Sequence, residues 1–161
     1  MSISRKVKRV VILMAEDDPG DQELTRRALE DDVLRVDLRI VENGEEALDY
    51  LHRRGRFAVE GTAPRPDLFL LDLNMPRMGG REVLAQLKKD PTLCQIPVVV
   101  LTTSDQEIDI VKSYSLGCNS YIRKPVDLAQ FAAIIRTLEN YWFEVVTLPP
   151  VSTGAEMACL A

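Results

Sequence analysis

Four apolar runs in this chain close on carboxylates, a hydroxyl or an amine, residue types that together suit a divalent cation and a phosphoryl group. The first run is Val10-Val11-Ile12-Leu13-Met14-Ala15, closing on Glu16-Asp17-Asp18. The others are Leu68 to Leu71 closing on Asp72, Val98 to Leu101 closing on Thr102, and Tyr121-Ile122-Arg123 closing on Lys124-Pro125. Carboxylates such as Glu16 and Asp17 are hard oxygen ligands that suit Mg2+, which completes its shell with waters and phosphate oxygens. Three adjacent acids repel one another unless a cation sits among them, although such a triplet by itself is more commonly a helix-capping group. Asp72 ends a run without a polar residue, so its carboxylate must be paired, coordinated or chemically used. An aspartate can also act as a nucleophile and form an aspartyl phosphate. Asn74 opens a loop shaped by Pro76 and Gly79-Gly80, and its carbonyl is a further candidate metal oxygen. Thr102 alone reads as a capping hydroxyl. Lys124 offers a point charge for a phosphate, and Pro125 fixes the backbone behind it.

These residues need elements that bring them together. Short apolar runs alternate with segments of helical period, the signature of βα units. After the first strand, Asp18-Pro19-Gly20-Asp21 predicts a turn that caps a helix from about Gln22 to Asp31, with Leu24, Ala28 and Leu29 on one face. Val36 to Ile40 alternates as an edge strand with one wet face does, and a helix from about Glu45 to Arg53 follows with Ala47, Leu48 and Leu51 inward. Gly55 to Pro66 predicts a long surface loop. Then come the wholly apolar strand Leu68–Leu71, a helix from Glu82 to Lys89, and a strand opened by Pro97. A helix from about Gln106 to Ser115 ends at Gly117, the strand Ser120–Arg123 follows, and a last helix starts near Asp127. Strict alternation with right-handed crossovers predicts an α/β fold, a doubly wound five-stranded parallel sheet. Ligands of such sheets bind beyond the carboxyl ends of the strands, where the acids, Thr102 and Lys124 all fall. Phe131, Ile134, Ile135, Leu138, Trp142 and Val145 form a core stripe on the last helix. Tyr141 at its edge and Phe143 off it are candidates for a partner contact.

Composition narrows the class. The chain has 161 residues and a net charge of −5, room for one domain with a tail and no concentrated basic stripe for nucleic acid. Its apolar runs are shorter than the roughly 18 residues of a membrane span, and the first lacks a signal-peptide cleavage site, which predicts a cytoplasmic protein. Cys94, Cys118 and Cys159 are odd in number and widely spaced, and read as three reduced thiols. His52 is the only histidine, and its neighbours Arg53, Arg54 and Arg56 predict an exposed helix end rather than a member of a histidine pair or a Ser/His/Asp triad.

From about Val10 to Tyr141 the chain resembles a bacterial response-regulator receiver domain, on the acids at Glu16 and Asp17, Asp72, Asn74, Thr102, Tyr121 and Lys124. That resemblance implies a flavodoxin-like sheet of strand order 2-1-3-4-5. It implies Mg2+ (or Mn2+) held by Glu16, Asp17, Asp72 and the Asn74 carbonyl, and a phosphoryl group accepted by Asp72 from a sensor histidine kinase. Thr102 and Tyr121 correspond to the switch pair and Lys124 to the phosphate-binding lysine. The Ala-Glu-Asp-Asp-Pro-Gly-Asp segment, the long loop and the stretch from Trp142 to Pro149 resemble regulators that serve phytochrome-type kinases. Those regulators dimerise through the fourth helix, fifth strand and fifth helix with a C-terminal extension, which makes Tyr141, Trp142 and Phe143 dimer candidates. The expected organisation is a leader over 1–8, a receiver domain over 9–147 and a tail over 148–161. Output then comes from an altered surface, without a nucleic-acid or membrane partner. A phosphorylation-independent adaptor of the same fold is the alternative; a small aspartyl-nucleophile phosphatase expects an acid at the position of Asn74.

Overall fold

The parallel ladder Val10↔Val36, Ile12↔Leu68, Leu70↔Val99 and Leu101↔Ile122 ties the apolar runs into a single five-stranded sheet of order 2-1-3-4-5, as expected. The computed structural model describes residues 9–30, 35–103, 105–106, 108, 120–124, 129 and 133. The elements are β1 (Arg9–Ala15), α1 (Pro19–Ala28), β2 (Arg35–Val41), α2 (Gly44–His52), a 3-10 turn (Gly55–Phe57), β3 (Leu68–Asp72), α3 (Gly80–Lys89), β4 (Val98–Thr102) and β5 (Ser120–Arg123). Asp105, Gln106 and Ile108, and Ala129 and Ala133, are also helical. The rest of the helices expected around them lies outside the described residues.

β3 and β4 are buried along their whole length because both sheet faces are covered. Leu13, Phe69, Leu71, Val98 and Val100 pack with Ala47, Leu48 and Tyr50 of α2 and Val83, Leu84 and Leu87 of α3. Val10, Ile12, Met14, Leu68, Leu70, Val99, Leu101 and Ile122 form the other face, joined by Leu29 at the end of α1. Period-two alternation splits each strand between these two layers.

Five local expectations need correction. The first helix begins at Pro19, not Gln22: the Asp18 carboxylate accepts from Gly20 N, and proline is pre-set for the first helical position. Leu24 is 37% exposed while Thr25 is buried, since one helical step carries Leu24 to the edge of the stripe. The wet face of β2 is half-covered. Asp37, at 13% side-chain exposure, pairs with Arg39 at 2.9 Å and Arg9 at 3.0 Å, and Arg39 reaches the Thr62 carbonyl. The segment before β3 is accordingly a fastened cover: Ala63 and Pro66 are buried, Tyr50 donates its hydroxyl to Pro64 O at 2.7 Å, and Arg53 Nε donates to Ala63 O at 3.1 Å. Finally, Cys94 is disulfide-bonded rather than a reduced thiol, because spacing along a chain does not report proximity in the fold.

Candidate functional site: an acidic crevice at the strand ends

The register sets the site. Ala15 pairs with Leu71, Asp72 with Leu101 and Thr102 with Arg123. The residues that end β1, β3, β4 and β5 therefore line up along one edge of the sheet. Glu16 follows β1 directly and is 0% exposed, tied by its backbone to Val41 O at 2.9 Å and to the Gln22 side chain at 2.8 Å. Asp72 is buried at 3% exposure, and its Oδ1 accepts from Asn74 N at 3.1 Å, which starts the loop to α3. That loop is tight. Arg77 has φ 68 within a turn closed by Met78 N to Pro76 O at 2.8 Å, a strained conformation for a non-glycine residue. Gly80 starts α3 against the Asp72 carbonyl, where a Cβ would collide with backbone.

The Lys124 ammonium lies at the centre. Its Nζ is 2.6 Å from Glu16 Oε2, 2.9 Å from Asp21 Oδ2 and 3.1 Å from Asp72 Oδ2, and its backbone N–H donates to Thr102 O at 2.7 Å. Burial works to lower this amine, but the hydrogen bonds it donates to Glu16 and Asp21 and the charges of Asp72 and Glu16 outweigh it and hold the lysine above its ordinary range. Burial also pushes the Glu16 carboxyl from its usual 4.5 up to about 7; the Asp72 charge adds to this and the Lys124 hydrogen bond opposes it.

The crevice fits a cation. One carboxylate oxygen each from Glu16, Asp17 and Asp72 lie within 4.8 Å of one another, an all-oxygen set of the kind Mg2+ and Mn2+ take. Asp17 and Asn74 are exposed, open to solvent and to an incoming group. Thr102 is fully buried at the end of β4, and Tyr121 packs half-buried against the α2–α3 side of the core. Six expected residues thus converge on the strand ends, and Tyr121 stands two residues inward, paired with Val100. Pro125, Ser104, Tyr141, Trp142 and Phe143 lie outside the described residues. Asp21 was not expected here. The Asp18-Pro19 start of α1 was the available signal, because it puts Asp21 in the helix's first turn, above the strand ends.

Sheet order and crevice together define a doubly wound α/β protein built to hold a cation and a phosphoryl group. Residues 12–136 match the response regulator receiver domain, and the chain belongs to that family. It is 42% identical to response regulator Rcp1 of Synechocystis sp. over 139 residues, covering 86% of this chain and 92% of Rcp1. The phosphorylated cyanobacterial phytochrome response regulator RcpA superposes with a TM-score of 0.72 at 44% identity, covering 89% of this chain and all of RcpA. The bacteriophytochrome response regulator RtBRR gives 0.74 at 46% identity over 81% of this chain and 78% of RtBRR. The Mn(2+)-bound form of Rcp1 gives 0.70 at 41% identity over 88% and 99%. The protein is a response regulator of two-component signalling, a signalling protein rather than an enzyme. Among the described residues no helix is long and apolar enough to cross a membrane.

Proposed function

We propose that this response regulator accepts a phosphoryl group on Asp72 from a phytochrome-type sensor histidine kinase, in a reaction that requires Mg2+ or Mn2+. One observation carries the reading: the buried Asp72 carboxylate has Lys124 Nζ at 3.1 Å and shares an all-oxygen cluster with Glu16 and Asp17. The metal, held by Glu16, Asp17, Asp72 and the Asn74 carbonyl, would neutralise charge on the phosphoryl oxygens.

The rest is positioning by this chain's own groups. An Asp72 oxygen attacks phosphorus in line as the bond to the donor's imidazole nitrogen breaks, and the imidazole leaves with the electron pair. Lys124 shifts from the Asp72 carboxylate onto a phosphoryl oxygen. The Thr102 hydroxyl hydrogen-bonds the new phosphate, and Tyr121 moves into the space vacated. The surface around β5 and its flanking helices is thereby biased between two states. Water later hydrolyses the acyl phosphate. The unit spans 9–147 between a leader over 1–8 and a tail over 148–161. It works as a cytoplasmic homodimer through the fourth helix, fifth strand and fifth helix, with Tyr141, Trp142 and Phe143 at the interface, and Pro125 fixes the backbone behind Lys124. The high identity to regulators named for phytochromes supports the choice of kinase.

Intact mass after incubation with acetyl phosphate tests the chemistry. One phosphoryl group should add with Mg2+ present, none in excess chelator, and none on Asp72→Asn. Labelling that persists on Asp72→Asn would move the acceptor elsewhere.

A further inference from the structure

Glu16 and Asp72 carry two duties that conflict. Both pair with Lys124, at 2.6 Å and 3.1 Å, and both belong to the oxygen cluster that suits a divalent cation. When a cation draws on those oxygens, the ammonium stands beside it with its two partners spent, and a charge only 10% exposed is costly to leave uncompensated. Asp21 stands outside the metal cluster yet lies 2.9 Å from the same ammonium. Its position is well fixed: Asp18 caps α1, and Thr25 Oγ1 donates to Asp21 O at 3.0 Å.

We infer that Asp21 is a positioning residue for Lys124: it holds the ammonium at the crevice while Glu16 and Asp72 turn to the metal, and so makes metal binding and a placed lysine compatible. This rests on reading the crevice as a metal-dependent phosphoacceptor site. The competing role is generic, since an acid in the first turn of a helix also favours the helix dipole and attracts any nearby cation.

A double-mutant cycle on Mn2+ affinity, measured by titration calorimetry, separates the two. Asp21→Asn should raise the Mn2+ dissociation constant about fivefold in the otherwise unaltered chain, the scale of a coupling within one charge network. In a Lys124→Met background the same substitution should change it by less than about twofold, because no ammonium remains to hold. Circular dichroism checks that each variant is folded, and Lys124→Gln replaces Lys124→Met if the latter is not. An equal loss in both backgrounds would overturn the inference in favour of direct attraction, and no loss in either would overturn both. If the unaltered chain binds no Mn2+, the reading of the crevice fails, and the inference with it, a result distinct from both.

Discussion

At the carboxyl end of the sheet Lys124 faces three carboxylates, whereas at the amino end Arg53 and Arg65 are met by backbone carbonyls, Ala63 O at 3.1 Å and Thr92 O at 2.5 Å. Both sets of cations are anchored, but the acceptors of Arg53 and Arg65 are neutral whereas those of Lys124 are charged groups that can change. A backbone carbonyl is a neutral dipole whose charge does not change over the physiological pH range. A carboxylate can be protonated, coordinated or esterified, and each event alters what its cation partner should do. The amino end is thus a fastening and the carboxyl end a responsive network, on the same strands some five residues apart.

The sharpest way to break this contrast is to remove the central cation. Lys124→Met in metal-free buffer should lose about 3 kcal/mol in urea unfolding, the usual cost of stranding buried partners of one charge. Saturating Mg2+ should restore much of it. A loss below about 1 kcal/mol, the worth of a surface pair, would show the crevice is not a buried network.

Next comes pH. The folded Glu16 carboxyl, at about 7 against an ordinary 4.5, keeps a proton that the unfolded chain has already released. The folded state therefore binds more protons across that window, and the contribution of Glu16 to stability falls as pH rises from about 4.5 to about 7. The difference between the unaltered chain and Glu16→Gln in chelator should shrink or reverse by on the order of 2 kcal/mol over that range. A difference flat with pH would contradict a raised carboxyl. The smallest effect belongs to the fastening. Tyr50→Phe removes the donor to Pro64 O and should cost about 1 kcal/mol, equally with and without Mg2+; a cost that depends on Mg2+ would couple the two ends.

Much of this was legible in residue order. The wholly apolar runs Leu68–Leu71 and Val98–Leu101 could be placed as central strands because both their faces must be covered, and the polar residue closing each run then had to sit at a strand end. Asp72 and Thr102 followed from that rule, and Lys124 from the shorter run Tyr121-Ile122-Arg123 with the proline behind it. Asp21 did not, because helix boundaries decide which first-turn side chain overlooks the strands, and starting α1 three residues late hid it. Tyr50 and Ala63 were missed for another reason. The segment from Gly55 to Pro66 has no period to read, and its burial comes from three hydrogen bonds donated by distant residues, Arg39, Tyr50 and Arg53.

The Asp37–Arg39 pair on the edge strand β2, joined by Arg9 of β1, has a consequence for behaviour at high concentration. An edge strand presents unpaired backbone groups that template cross-chain pairing, the first step toward aggregation. On β2, a chain docking there would have to strip water from Asp37 and Arg39 and displace Arg39 from Thr62 O. These charges act as gatekeepers, and neutralising them should make the protein harder to keep in solution without touching its signalling chemistry.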